Sequence, residues 1–155
     1  MAVLIILLVA FSLVLIVQLI SRRTVNVDTA GALAIAAMFF FTGVSHFTLA
    51  NSMVLMLPKW ISLRYLIVYF TGVLELMFSI GFLWPATRQL TGILTCLFLL
   101  CVFPANIYAA LNSVAFGGNV HGPRYLLFRI PLQIFLLAWV WFMTIRPKRS
   151  TLRLK

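Results

Sequence analysis

The chain has 155 residues, of which 64% are hydrophobic and 9% charged, and a formal net charge of +10. So apolar a composition excludes an ordinary soluble domain and leaves material for one helical bundle without an appended soluble domain. The surplus of cations would suit a nucleic-acid binder. However, the basic residues fall between or after the apolar runs and interleave with no RNA- or DNA-binding motif, so the expected surroundings are a lipid bilayer and not nucleic acid.

Taken in chain order, the apolar runs predict five spanning helices at residues 2–20, 29–49, 62–84, 88–112 and 124–145, each near the roughly 20 residues that cross a bilayer core. The expected fold class is therefore all-α, a polytopic membrane helical bundle. Residues 1–20 have no basic stretch before the apolar run, and Arg22 and Arg23 follow it, which favours a retained N-terminal anchor over a cleaved signal. A polar stretch at 21–28 ends that run, and Pro58 and Ser62 interrupt the next gap. Pro85 ends the third helix, while Gly117, Gly118, Gly122 and Pro123 mark the longest loop. The resulting organisation is an anchor helix at 1–20, a four-helix unit at 29–145 and a basic tail at 146–155.

Orientation follows from the cations. Arg22, Arg23, Arg88 and five tail residues (Arg146, Lys148, Arg149, Arg153, Lys155) fall on one side, against Lys59, Arg64 and Arg124 on the other. The tail is then expected in the cytoplasm and the N-terminus outside, as in a bacterial inner-membrane protein.

Five polar or ionisable residues interrupt the spans: His46, Glu75, Asn106, Arg129 and Gln133. Such residues in hydrocarbon are normally paired, turned inward and tied to a ligand or ion pathway. At about 1.5 Å per residue, His46 falls near the outer end of the second span, Asn106 and Arg129 about 8 to 10 Å below the outer boundary, and Gln133 and Glu75 about 14 to 20 Å below it. The pattern describes a funnel in the outer half of the membrane with an acidic floor. Arg129 and Gln133, four apart, share one helix face. Thr71, Gly72 and Ser79 make a small, polar stripe around Glu75, suited to close helix packing. Pro104 and Pro131 free the carbonyls of Leu100 and Leu127 beside this site.

Between about residues 36 and 141 the chain carries GVSHF (43–47), MVLMLPKWI (53–61), TGVLEL (71–76), WPATR (84–88), FPANIYAAL (103–111) and RIPLQ (129–133), in this order. In these motifs it resembles the DoxX-like integral membrane proteins. The resemblance implies a four-helix membrane bundle, which makes residues 1–20 an addition, and it brings an association with thiosulfate oxidation and quinone reduction. The chain departs from that pattern in lacking prolines after GVSHF and after Trp60.

Each site residue has a plain structural alternative. His46 is either an interfacial histidine bonded to backbone or a ligand and proton-relay group. Asn106 either satisfies the carbonyl freed by Pro104 or faces a ligand. Glu75 is either protonated or paired, and Arg129 is the intramembrane cation available to it unless His46 is protonated. Side chains lean toward their helix N-terminus, and the helices of Glu75 and Arg129 both start outside, so a water, Gln133 or a ligand has to bridge them. A purely structural ion pair is the competing account. Cys96 and Cys101, five apart on one helix, are turned about 140° from each other and read as packing residues. His46 and Glu75 supply no third metal ligand, so no metal site is expected.

Three functions fit. One is a binder of a small amphipathic molecule, with Phe39, Phe40, Phe78 and Phe103 as its apolar wall. Another is a redox accessory holding a quinone, with Glu75 as the proton-transfer residue and a membrane or redox protein as partner. The third is a structural subunit of a membrane complex. A quinone is the one cofactor that any of these readings calls for.

Overall fold

The computed structural model describes residues 2–22, 24–146 and 152–153. The chain forms α1 (Ala2–Arg22), α2 (Val27–Thr48), a short α3 (Ala50–Val54), α4 (Arg64–Leu83), α5 (Arg88–Leu111), a 3-10 stretch (Gly117–Tyr125), α6 (Leu126–Val140) and a closing π-turn (Trp141–Ile145). The described chain is all-helical apart from one two-residue pairing, β1 (Thr24–Val25) against β2 (Leu152–Arg153). Five helices are long and apolar enough to cross a membrane; the first four have bounds within two residues of the expected ones, and the fifth, Asn119–Ile145, begins five residues before the expected 124. Most of the tail expected at 146–155 lies outside the described residues.

Packing makes α2 the hub. Its inward positions are small, with Ala30, Gly31, Ala32, Ala34 and Ala36 all buried, so neighbouring backbones can approach closely. It packs most extensively on α4 and next on α1, and it also meets α6 and the closing turn. On the far side, α5 packs on both α4 and α6. The four helices α2, α4, α5 and α6 thus close a ring in which α2 faces α5 and α4 faces α6. α1 leans on its outside, contributing the fully buried Leu7 and an edge contact of Phe11 on Trp139, ring centres 5.0 Å apart.

The centre of the ring is aromatic. Phe39 of α2 lies 6.1 Å from Phe78 of α4 and 6.4 Å from Phe98 of α5, and Phe78 and Phe98 meet edge-on at 5.4 Å. Such arrangements satisfy the ring quadrupoles as well as burying area. By contrast Leu13, Ile20, Leu66, Phe70 and Ile134 remain largely exposed on the outside of the bundle, the pattern of a surface whose solvent is lipid.

The links between helices hold polar groups. Asn26 caps α2 by accepting from the Thr29 amide at 2.9 Å, and its own amide donates to Gln18 of α1 at 2.7 Å. At the α4–α5 link, Arg88 donates to the carbonyls of Phe82 (2.9 Å) and Leu83 (3.4 Å) and to the Thr29 hydroxyl (3.2 Å). A residue that counts in the sequence only as a loop cation thereby ties the end of α4 to the start of α2.

Candidate functional site

His46 and Glu75 meet where α2 crosses α4. The two helices run antiparallel, and side chains lean toward their own helix N-terminus, so these two lean toward each other. His46 Nε2 lies 3.6 Å from Glu75 Oε1, with side chains only 17% and 11% exposed. Glycine permits the approach. A Cβ on Gly72 would stand 2.5 Å from His46 Cβ, and one on Gly43 would stand 2.9 Å from Leu76 Cδ2. The polar stripe around Glu75 is indeed turned to α2, since Ser79 donates to the Ala36 carbonyl at 2.8 Å.

His46 also sits deeper than its place near the end of α2 suggests. Its Nδ1 lies 2.8 Å from the Val68 carbonyl, four residues and so about 6 Å into α4. The reason is that α2 stops at Thr48 and the chain folds back through α3, whose Ala50 and Val54 bury against Val68.

This contact fixes the tautomer. A carbonyl only accepts, so Nδ1 carries a proton. The Thr71 hydroxyl, 3.2 Å from Nδ1, accepts from it while donating to the carbonyl of Ile67 or Val68, each 2.9 Å away. Nε2 therefore faces the Glu75 carboxyl either as an imidazolium against a carboxylate or as a neutral acceptor beside a carboxylic acid. The two states have the same net charge and differ only in which side holds one proton. At 3.6 Å the contact suits an ion pair and exceeds a direct hydrogen bond.

Arg129 remains apart. Among the described residues its guanidinium has no carboxylate within salt-bridge distance, although Glu75 and Tyr125 are within its electrostatic reach. α4 and α6 both begin at the same end and stand diagonally across the ring, so the two side chains lean the same way and do not converge. The result is two orphaned atoms of opposite character: Glu75 Oε2, an acceptor, and Arg129 Nε, a donor, both buried and without a hydrogen-bond partner.

The two amides bond to backbone near Pro104 of α5. Asn106 donates to the Val102 carbonyl of its own helix at 3.1 Å, one turn back, and not to the Leu100 carbonyl that the proline frees. Gln133 crosses from α6 to the Leu99 carbonyl of α5 at 2.7 Å. Both side chains are at least nine-tenths buried; the Gln133 bond holds α6 against α5, while the Asn106 bond stays within α5 beside Pro104, where the helix ladder loses a donor.

The apolar surroundings differ from the expected wall. Phe39 and Phe78 are packed into the aromatic core, and Phe40 is 52% exposed on the outer surface. Phe40 follows Phe39 directly and so points about 100° away around the helix. A groove of about 370 Å³ lies between α1 and the first turns of α2, away from the His46 end of α2, and includes Gln18 and Thr29. Cys96 and Cys101 are free thiols.

Together these features define an all-helical chain built on five potential membrane spans, with a buried acid held by a half-buried histidine and a separate half-buried arginine whose Nε is buried. Residues 35–144 match the family described as Domain of unknown function (DUF8561), and the chain belongs to that family. The match starts inside α2, leaving α1 outside it. No curated protein and no solved structure matches the chain.

Proposed function

We propose that this is a bacterial inner-membrane protein, N-terminus outside and C-terminus in the cytoplasm, that holds a small amphipathic molecule between Glu75 and Arg129. The observation that carries this reading is the pair of orphaned buried atoms, Glu75 Oε2 and Arg129 Nε. A buried polar atom without a partner costs about 1 to 3 kcal/mol, and more when charged. An acceptor and a donor left open in one bundle suit a molecule that offers a hydroxyl to the first and a carbonyl or similar oxygen to the second. Gln133, Asn106 and His46 complete the polar surroundings, the amides by fixing the neighbouring backbone and His46 by holding the carboxyl.

A quinone is the second reading, and the His46–Glu75 pair favours it. A proton that rests on either partner without change of net charge is suited to exchange with a quinone oxygen. The electrons for such a reaction would come from a membrane or redox partner protein. The resemblance to DoxX-like proteins points the same way, with α1 as an addition to a four-helix core.

Native mass spectrometry of protein extracted in mild detergent tests both. A co-purifying quinone supports the redox reading, and another amphipathic molecule, lost in Glu75→Gln, supports the binder. Protein that is reproducibly empty refutes both and leaves a structural subunit of a membrane complex.

A further inference from the structure

The groove between α1 and α2 is graded along its length. Leu13, Val17 and Leu33 line its deep part, whereas Gln18, Ser21 and Thr29 line its end beside the helix link. From Leu13 to Ser21 it runs eight residues, about 12 Å, close to the roughly 15 Å of one leaflet of a bilayer core about 30 Å thick. At its polar end stands Arg88, whose Nη1 donates to the groove-lining Thr29 hydroxyl at 3.2 Å. Three of its N–H groups are engaged, by Phe82, Thr29 and Leu83. A guanidinium has five, so one remains on each terminal nitrogen. The acid at this end, Asp28, is itself engaged within the chain.

We propose that this groove binds an anionic phospholipid, one acyl chain lying against Leu13, Val17 and Leu33 and the phosphate at Arg88, Ser21 and Thr29. The length of one leaflet, the apolar-to-polar grading and the cation at the mouth all match that ligand. The site is separate from the Glu75 region, since its lining comes from α1 and the first turns of α2, whereas Glu75 meets His46 near the end of α2. It is also built partly from α1, so a chain without that helix would lack it.

The test uses the full-length protein, delipidated and titrated in native mass spectrometry with phosphatidylglycerol and with phosphatidylcholine of the same chains. Wild type should hold one phosphatidylglycerol about fivefold more tightly than phosphatidylcholine, the factor for one basic side chain near an anionic headgroup. Arg88→Gln should abolish the preference while leaving phosphatidylcholine binding in place. Because Arg88 also holds the end of α4, Val17→Trp supplies an independent check. Val17 is 59% exposed, so the indole fills the groove without disturbing the core, and both lipids should be lost while the melting temperature is kept. Equal affinity of wild type for the two lipids overturns the proposal, as does a Val17→Trp protein that binds like wild type. Neither readout depends on a ligand at Glu75.

Discussion

Replacing Arg129 by methionine separates a binding site from a structural ion pair, because the two accounts predict opposite signs. In the structure Arg129 Nε is buried without a partner, and the carboxylate it would serve is already held by His46 at 3.6 Å. An unsatisfied buried donor costs about 1 to 3 kcal/mol. Methionine has a similar reach, no donors, and the flexibility to fill the space left by the guanidinium. Arg129→Met should therefore raise the stability of ligand-free protein by about 1 to 3 kcal/mol. In a chain of this size that is about 2 to 12 °C in melting temperature, at roughly 2 to 4 °C per kcal/mol. The same substitution should abolish retention of the bound molecule, so its stabilisation of wild type should vanish. The assay is thermal melting in one detergent, with and without the molecule that co-purifies. If instead the ligand-free variant loses about 3 to 5 kcal/mol, the loss expected when a buried ion pair is broken, Arg129 is a structural counter-ion and the reasoning fails. Arg124→Ala, at an exposed position, should change stability by no more than about 0.5 kcal/mol.

Three further outcomes follow from the same geometry. Glu75→Gln keeps shape and hydrogen-bonding capacity but cannot ionise, so the protein should fold and lose its bound molecule; unchanged retention and activity would remove Glu75 from the function. Gly72→Ala places a methyl 2.5 Å from His46 Cβ and should cost about 1 to 3 kcal/mol as overpacking, while also releasing the bound molecule by shifting His46; an unaltered melting curve would mean that α2 and α4 do not pack as described. Cysteines at Ser62 and Val120, both exposed, should react with a membrane-impermeant thiol reagent on intact cells and one at Ser150 should not; labelling of Ser150→Cys would reverse the orientation.

The helices were legible in the sequence because bilayer-length apolar runs with Pro, Gly and polar breaks leave few alternatives. The glycine and the hydroxyls around Glu75 were legible too, since small residues at helical spacing mark close packing. The depth of His46 was not. It depends on α2 ending at Thr48 and on α3 folding back against Val68, and neither Leu49 nor residues 55–63 bear a helix-cap pattern that would announce it. Arg88 was equally opaque: as a cation after Pro85 it counts toward orientation, and its hold on Phe82, Leu83 and Thr29 depends on how two helix links meet. Asn106 and Gln133 were recognisable as buried amides, but which carbonyl each would reach was a matter of helix rotation that no spacing rule supplies.

The direction in which each helix runs explains why the buried polar groups are only half paired. α2 and α4 are antiparallel, so His46 and Glu75 lean together and one carboxyl oxygen finds a partner. α4 and α6 run the same way across the diagonal of the ring, so Glu75 and Arg129 lean in parallel and stay apart. A bundle selected only to be stable gains little from this arrangement, since apolar residues of similar volume commonly do as well as a buried ion pair. Here the acceptor oxygen and the donor nitrogen are left open in a chain whose only acids are Asp28 and Glu75. On the proposed reading, the unpaired state costs stability when the protein is empty and would be relieved by a molecule that reaches both groups. That differential is the source of affinity, and it is why the sign of the Arg129→Met shift, more than its size, decides between the readings.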